Sequence, residues 1–325
     1  MITATLPGYN CLPQSLTNVG GSLYFAANDP NDGNPSQTLS YQIDWGDGTP
    51  LETVQGGYSI QGEHVFGSSG TPAVSVIVTD GGGASSSPAS QAIVIRAAEL
   101  QGSDLYVGGT TGDDTIIVRP ADRTGNVSVI VNGTDAGIYR PSGQIVVYAQ
   151  AGNDTVQLQS AKIAKKTVYL TVPAILFGQA GADTLSTQGS TAANVLVGGA
   201  DGDTLTAGGG RDMLLGGLGS DILNAGSGDD LLLGATTDYD ADLAALALLR
   251  SEWSRIDLNY QARINHLTGA TPGGANGACL LNSSTVHNDA AIDQLYGGSG
   301  TDWFLYHADD SLRDRDRKRE VATLL

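Results

Sequence analysis

From Gly198 to Leu233 apolar positions recur with a period of nine, and four blocks follow without a gap: GGADGDTLT, AGGGRDMLL, GGLGSDILN and AGSGDDLLL. Leucine holds the eighth position of every block (Leu205, Leu214, Leu223, Leu232) and aspartate the sixth (Asp203, Asp212, Asp221, Asp230), while glycine and alanine dominate the first four. Each block predicts a turn followed by a short strand. Glycines take backbone conformations that a Cβ resists, and the three remaining residues suffice only for a brief extended segment. One leucine per block makes no core, but stacked blocks do, in a narrow parallel solenoid.

The array opens at GQAGADTLS, with Asp183 in the sixth position. After the interruption Thr187-Gln188, GSTAANVLV puts Asn194 there, a carbonyl oxygen without charge. The array ends near Gly234 and returns once as NDAAIDQLY and GGSGTDWFL, whose sixth positions are Asp293 and Asp302 and eighth positions Leu295 and Phe304. This pair is expected to close onto the array as one further coil, which makes the stretch between them an insertion. Asp114 in GTTGDDTII and Asp154 in AQAGNDTVQ match the same half-block but look isolated. They read first as turn caps, with metal ligation left open.

Aspartates that fall once per turn form ladders that repel themselves unless a cation sits among them. Oxygen ligands without a nearby histidine or thiolate favour a hard, large ion: calcium over zinc, and over magnesium with its stricter octahedral demand. The array resembles the repeats-in-toxin (RTX, hemolysin-type) calcium-binding nonapeptide GGxGxDxUx. In that family two blocks make one coil, and calcium lies between turns on the same side. The resemblance therefore implies Ca2+ as the cofactor, one ion shared by Asp203 and Asp221, another by Asp212 and Asp230, and further ligands at Asp183, Asn194, Asp293 and Asp302.

Residues 1–15 read as an N-terminal tail. From 16 to 97, short alternating segments (SLYFAA, LSYQIDW, HVF, AVSVIVTD) parted by turn residues predict an antiparallel β-sandwich. Here Trp45-Gly46-Asp47-Gly48-Thr49, with His64-Val65-Phe66 and Val78-Thr79-Asp80, resembles a polycystic kidney disease-type (PKD) domain, an immunoglobulin-like module. Trp45 would anchor the core and Asp47 would hold the tight turn. The rival reading gathers Asp44, Asp47 and His64 into a metal or catalytic cluster. Residues 98–177 predict a β-rich connecting region and 178–234 the β-roll. Residues 235–325 predict a helical cap and the final repeat pair: Leu243, Leu246, Leu249, Trp253 and Ile256 keep helical spacing, Thr237 and Asp240 suggest a capping box, and a second helix covers Tyr260 to Leu267. The helices are expected to cover the open end of the solenoid. The fold class is thus all-β: an immunoglobulin-like sandwich plus a parallel β-roll (β-solenoid) with a small helical C-terminal cap.

Composition narrows the function. A formal net charge of −18 leaves no basic groove for nucleic acid. Only five of the 34 acidic residues are glutamate, and short aspartates are what tight turns and calcium loops use. Cys11 and Cys279 define no disulfide framework. No run of apolar residues is long enough to span a membrane, and the N-terminus carries no standard secretory signal. No HExxH, GxSxG, Walker loop or GxGxxG at a strand-to-helix junction is present, and the four histidines are scattered, so no catalytic residue is assigned. The whole pattern resembles large extracellular calcium-binding proteins of planctomycete-like bacteria. It implies a secreted or cell-surface structural protein with calcium as its partner. The alternatives are an adhesin or matrix component that binds polysaccharide or protein through the PKD-like domain, and a non-catalytic accessory region of a larger secreted enzyme.

Overall fold

The computed structural model describes residues 2–5, 22–28, 38–57, 59–63, 71–92 and 96–325. They fall into two compact units, Met1–Arg96 and Ala97–Leu325. His64-Val65-Phe66, Cys11 and most of the predicted N-terminal tail lie outside the described residues.

The first unit is a sandwich whose strands pair antiparallel except Ile2–Thr5, which runs parallel to Ser22–Asn28. Its four-stranded sheet runs Glu52–Gly56, Leu39–Asp44, Ala73–Thr79, Ala89–Ala92, and a three-stranded sheet joins Ile2–Thr5, Ser22–Asn28 and Ser59–Glu63. Strict alternation builds the core: Leu39, Tyr41 and Ile43 are buried with Val74, Val76 and Val78, while the residues between them turn outward. Trp45 closes this core, 1% exposed, and its indole N–H donates to Glu52 Oε2 at 2.9 Å. Gly46, with φ of +74°, makes the tight turn; a Cβ there would strike the carbonyl of Ala73 at 2.5 Å. Asp44 accepts the amide of Gly46, and Asp47 accepts the amide and hydroxyl of Thr49, so both carboxylates hold the turn.

The second unit is a two-sheet parallel solenoid, each sheet nine-stranded. The first sheet stacks Thr115–Pro120, Thr155–Leu158, Thr184–Ser186, Thr204–Thr206, Ile222–Asn224, Gln294–Tyr296 and Ser311–Leu312. The second stacks Asp104–Gly108, Ile145–Ala151, Ala174–Ala180, Val195–Ala200, Met213–Leu218, Leu231–Leu233, Trp303–Tyr306 and Val321–Leu324. Successive blocks alternate between the sheets. The eighth-position residues Leu185, Leu205, Leu223 and Leu295 of one sheet meet Leu196, Leu214, Leu232 and Phe304 of the other in a single inner core. Each such side chain contributes about 1.5–3 kcal/mol by its burial.

Four expectations are corrected. The region 98–177 is not a connector: its parallel strands are the first coils of the same two sheets. Antiparallel strands (Ala98–Gln101, Val127–Val131 and Thr134–Tyr139) close that end of the solenoid and shield its edges. The helices, α1 (Leu243–Trp253) and α2 (Tyr260–Thr268), do not cover an open end. They lie along the outer face of the second sheet, where Leu246, Leu249, Trp253, Ile264 and Leu267 pack on Val195, Met213, Leu231 and Trp303. Blocks of that sheet read VLV, MLL, LLL and WFL, apolar on both faces, and the outer face needs a lid. Helix α1 also starts later than Thr237 implied. Thr237 and Asp240 bond to each other in a turn, and Asp242 caps the helix by accepting the amides of Ala244 and Ala245. Ile256, placed on the apolar stripe by spacing, lies beyond α1 and is 90% exposed. Among the described residues no helix is long and apolar enough to cross a membrane.

Candidate metal centre

The sixth-position residues form two columns, one along each edge of the roll, and each rung is held the same way: the amide of one aspartate donates to Oδ1 of the aspartate one coil further on. In the first column the chain of bonds runs Asp114, Asp154, Asp183, Asp203, Asp221, Asp293, Asp310, at 2.7–2.8 Å for every step but the last, which is 3.2 Å. In the second it runs Asn194, Asp212, Asp230, Asp302, at 2.7–2.8 Å. Asp203 with Asp221, and Asp212 with Asp230, therefore stand on consecutive rungs. Asp114 and Asp154, which looked isolated in sequence, share the first column because the intervening strands return the chain to the same edge.

The second carboxylate oxygen decides the chemistry. Oδ2 of Asp154, Asp183, Asp203, Asp221 and Asp293 in the first column, and of Asp212, Asp230 and Asp302 in the second, is buried and has no hydrogen-bond partner. A buried acceptor left unmade costs about 1–3 kcal/mol, and more when charged. Eight such atoms in register are a demand for a shared positive partner. The turns bring a second oxygen close, as at Asp183 and Asp203. A Cβ on Gly178 would stand 2.3 Å from Asp183 Oδ2 and 2.5 Å from the carbonyl oxygen of Gly198. Gly198 repeats this with Asp203 Oδ2 at 2.3 Å and the Gly216 carbonyl at 2.5 Å. A carboxylate oxygen and the next coil's carbonyl thus both lie close against each of these turn glycines, where no larger residue fits. Among the described residues no three side chains of histidine, cysteine, aspartate or glutamate converge on one point. An ion in these columns would take mixed carboxylate and carbonyl oxygens, the donor set of calcium.

The columns end in groups whose oxygens are already bonded. Asp114 accepts Asn132 Nδ2 on one oxygen and the amide and hydroxyl of Thr110 on the other. Asp310 accepts the amides of Asp293 and His307. Asn194, expected as a weak ligand, spends its oxygen on the amide of Ala174 and its Nδ2 on Asp212 Oδ1 and the carbonyl of Ala192. It closes the second column as a neutral cap. Glu320 takes the amide of Asp316 and lies against the amide of Asp302 at the other end. Asp310 and Glu320 escaped the sequence reading because their blocks are degenerate, although Asp310-Ser311-Leu312 keeps the aspartate and the leucine two residues later.

The insertion leaves a block at Gly234 and rejoins it at Asp293: a Cβ on Gly234 would meet Asp293 Oδ2 at 2.5 Å, the relation that Gly198 has to Asp203. It also braces the second edge. Arg263, 1% exposed, pairs with Asp229 at 2.8 Å and stacks over Trp253, and the Tyr260 hydroxyl donates to the carbonyl of Asp302 at 2.7 Å.

Burial, more than any neighbour, raises these carboxyls. Asp183 rises to about 6, Asp212 and Asp221 to about 7, Asp203 to about 8 and Asp230 to about 9, from an ordinary value of 3.8. Repulsion between rungs adds to the rise and the ladder amides oppose it. Without metal, the folded roll therefore holds protons that the unfolded chain has released. That stabilisation is present below about pH 4 and is lost as pH climbs through the folded values of about 6 to 9. In chelator, far-UV circular dichroism should show more roll at pH 5 than at pH 8; a roll that instead melts on mild acidification would contradict this sign.

A model of the family described as RTX calcium-binding nonapeptide repeat (4 copies) matches residues 188–223, 208–236 and 289–311. No curated protein and no solved structure matches the chain significantly. The matched segments contain eight of the column residues, from Asn194 to Asp310, while Asp114, Asp154 and Asp183 lie before them and continue the first column. The chain carries RTX-type calcium-binding nonapeptide repeats, and its parallel solenoid is the β-roll they build.

Proposed function

We propose that this is a non-enzymatic protein of the cell exterior whose roll folds when calcium fills the two aspartate columns. The observation that carries the reading is the set of eight buried Oδ2 atoms without a partner, each in register with the next. Asp154, Asp183, Asp203, Asp221 and Asp293 would hold ions along one edge, and Asp212, Asp230 and Asp302 along the other, together with turn carbonyls. Calcium supplies the positive charge that lets these carboxylates be both ionised and buried. At the low calcium of a cytosol the columns repel and the thin core does not hold. At the roughly millimolar levels where extracellular modules work, the roll assembles. The sandwich, with its WGDGT turn, would serve as a PKD-like spacer or presenting module.

The test is a calcium titration followed by far-UV circular dichroism, with the intact chain beside a variant carrying Asp212→Ala and Asp221→Ala. We expect a cooperative gain of β signal near millimolar calcium in the intact chain, and its loss or displacement to higher calcium in the variant. Identical curves would remove the columns from the account.

A further inference from the structure

Three of the chain's four lysines, Lys162, Lys165 and Lys166, stand on one hairpin, Ala161–Ile163 paired with Lys166–Val168. All three are exposed, and among the described residues none forms an ion pair. On a chain of net charge −18 this is an unusual concentration of free positive charge. The turn places it at a backbone cost: Ala164 and Lys165 sit in the left-handed region, with φ of 49° and 65°, where glycine or asparagine is the ordinary occupant.

The hairpin leaves the solenoid where the strand Thr155–Leu158 ends, and two clefts meet there at Ser160. One, of about 410 Å³, is lined by Arg119 and Lys162; the other, of about 360 Å³, is lined by Gln157, Gln159, Ser186 and Gln188. Tyr169, 46% exposed, follows the hairpin, and its neighbour Leu170 bridges in parallel to Ser190, which sets the tyrosine alongside the segment of Gln188 and Gly189. The adjoining outer face of the first sheet carries Thr184, Ser186, Thr204, Thr206, Ile222 and Asn224, without a charge. Its strands repeat about every 4.8 Å. A polyanion could lie across this face without meeting the aspartates of the edges.

We propose that this corner binds an acidic polysaccharide, a chain bearing uronate carboxylates. The carboxylates would meet Arg119 and Lys162, which line one cleft, and a longer chain would meet Lys165 and Lys166 of the same hairpin beyond it. Sugar hydroxyls would bond to the glutamine amides and to Ser160 and Ser186, and a ring face would pack on Tyr169. An acidic peptide would use the lysines but leave the amide-lined cleft and the tyrosine without a role. The corner exists only in the folded roll, so the proposal rests on the calcium reading.

The test is calorimetric titration of the full chain at about 1 mM calcium, with a hyaluronan octasaccharide, cellohexaose and hexaglutamate as separate probes and circular dichroism of each sample. The octasaccharide is expected to bind more tightly than either of the others. The pair Lys162→Ala and Lys166→Ala should weaken it about tenfold, and Tyr169→Ala about fivefold, with the β signal unchanged. Hexaglutamate binding as tightly as the sugar would overturn the proposal in favour of an acidic protein partner. A folded roll that binds no probe, or variants with unchanged affinity, would overturn it outright. A roll that calcium fails to fold would defeat the calcium reading first, and this site with it.

Discussion

A chelator in excess is expected to unfold the roll and leave the sandwich unit standing. Each ion held at about a hundred times its dissociation constant contributes roughly 2.7 kcal/mol. Several such sites together exceed the roughly 5–15 kcal/mol by which an ordinary domain is stable. The inner core is only one side chain deep from each sheet, so little remains to oppose the desolvation of eight buried carboxylates. The sandwich has its own core around Tyr41, Trp45 and Val76 and, among the described residues, no such ladder. Small-angle scattering should record a two- to three-fold larger radius of gyration for the roll in chelator, reversed by added calcium, while the near-ultraviolet signal of Trp45 persists. A radius that ignores the chelator would show that leucine packing and backbone bonding suffice.

Gly228→Ala should be among the most damaging single substitutions outside the ligands. Gly228 has a φ of 145°, and a Cβ there would fall 1.6 Å from the carbonyl oxygen of Gly210 in the preceding coil. Gly300 stacks on the Gly228 carbonyl in the same way, so displacement of one turn is passed to the next. Left-handed strain costs about 1–3 kcal/mol and overpacking about as much again. The turn also presents Asp230 to its column, so calcium affinity should fall together with stability. Gly273→Ala is the comparison: its φ is +98° but nothing lies within 4 Å of the added Cβ. It should cost only the strain and leave the calcium midpoint where it was. Thermal melts at fixed calcium distinguish the two, and equal losses would mean that the coil spacing is slack.

Much of the roll was legible because its repeat is local. The nine-residue period fixed the leucine core, the two edges and most of the column aspartates. Asp114 and Asp154 were harder, since their register depends on strands that return to the same edge after long, irregular excursions. The place of the helices was also written in the repeat. Blocks ending TLS and TLT have one apolar residue each and ILN two, and they leave a largely polar, solvated outer face, whereas VLV, MLL and LLL have three and require a covering layer. Asn194 illustrates a limit of another kind. Its residue type allows ligation, but only the structure shows its oxygen already bonded to Ala174 and its amide to Asp212. Likewise, no pattern in the chain announces that the residue pair Gly234 and Asp293 belongs to one interrupted block.

The most direct measurement is a crystal structure of the calcium-loaded chain with anomalous difference maps. The account predicts peaks in two files along the roll, each within about 2.3–2.6 Å of the Oδ2 atoms. They should appear from Asp154 to Asp293 on one edge and from Asp212 to Asp302 on the other, with none beyond the caps at Asp114, Asn194, Asp310 and Glu320. Well-ordered columns without peaks at saturating calcium, or ions bound only to surface carboxylates, would contradict it.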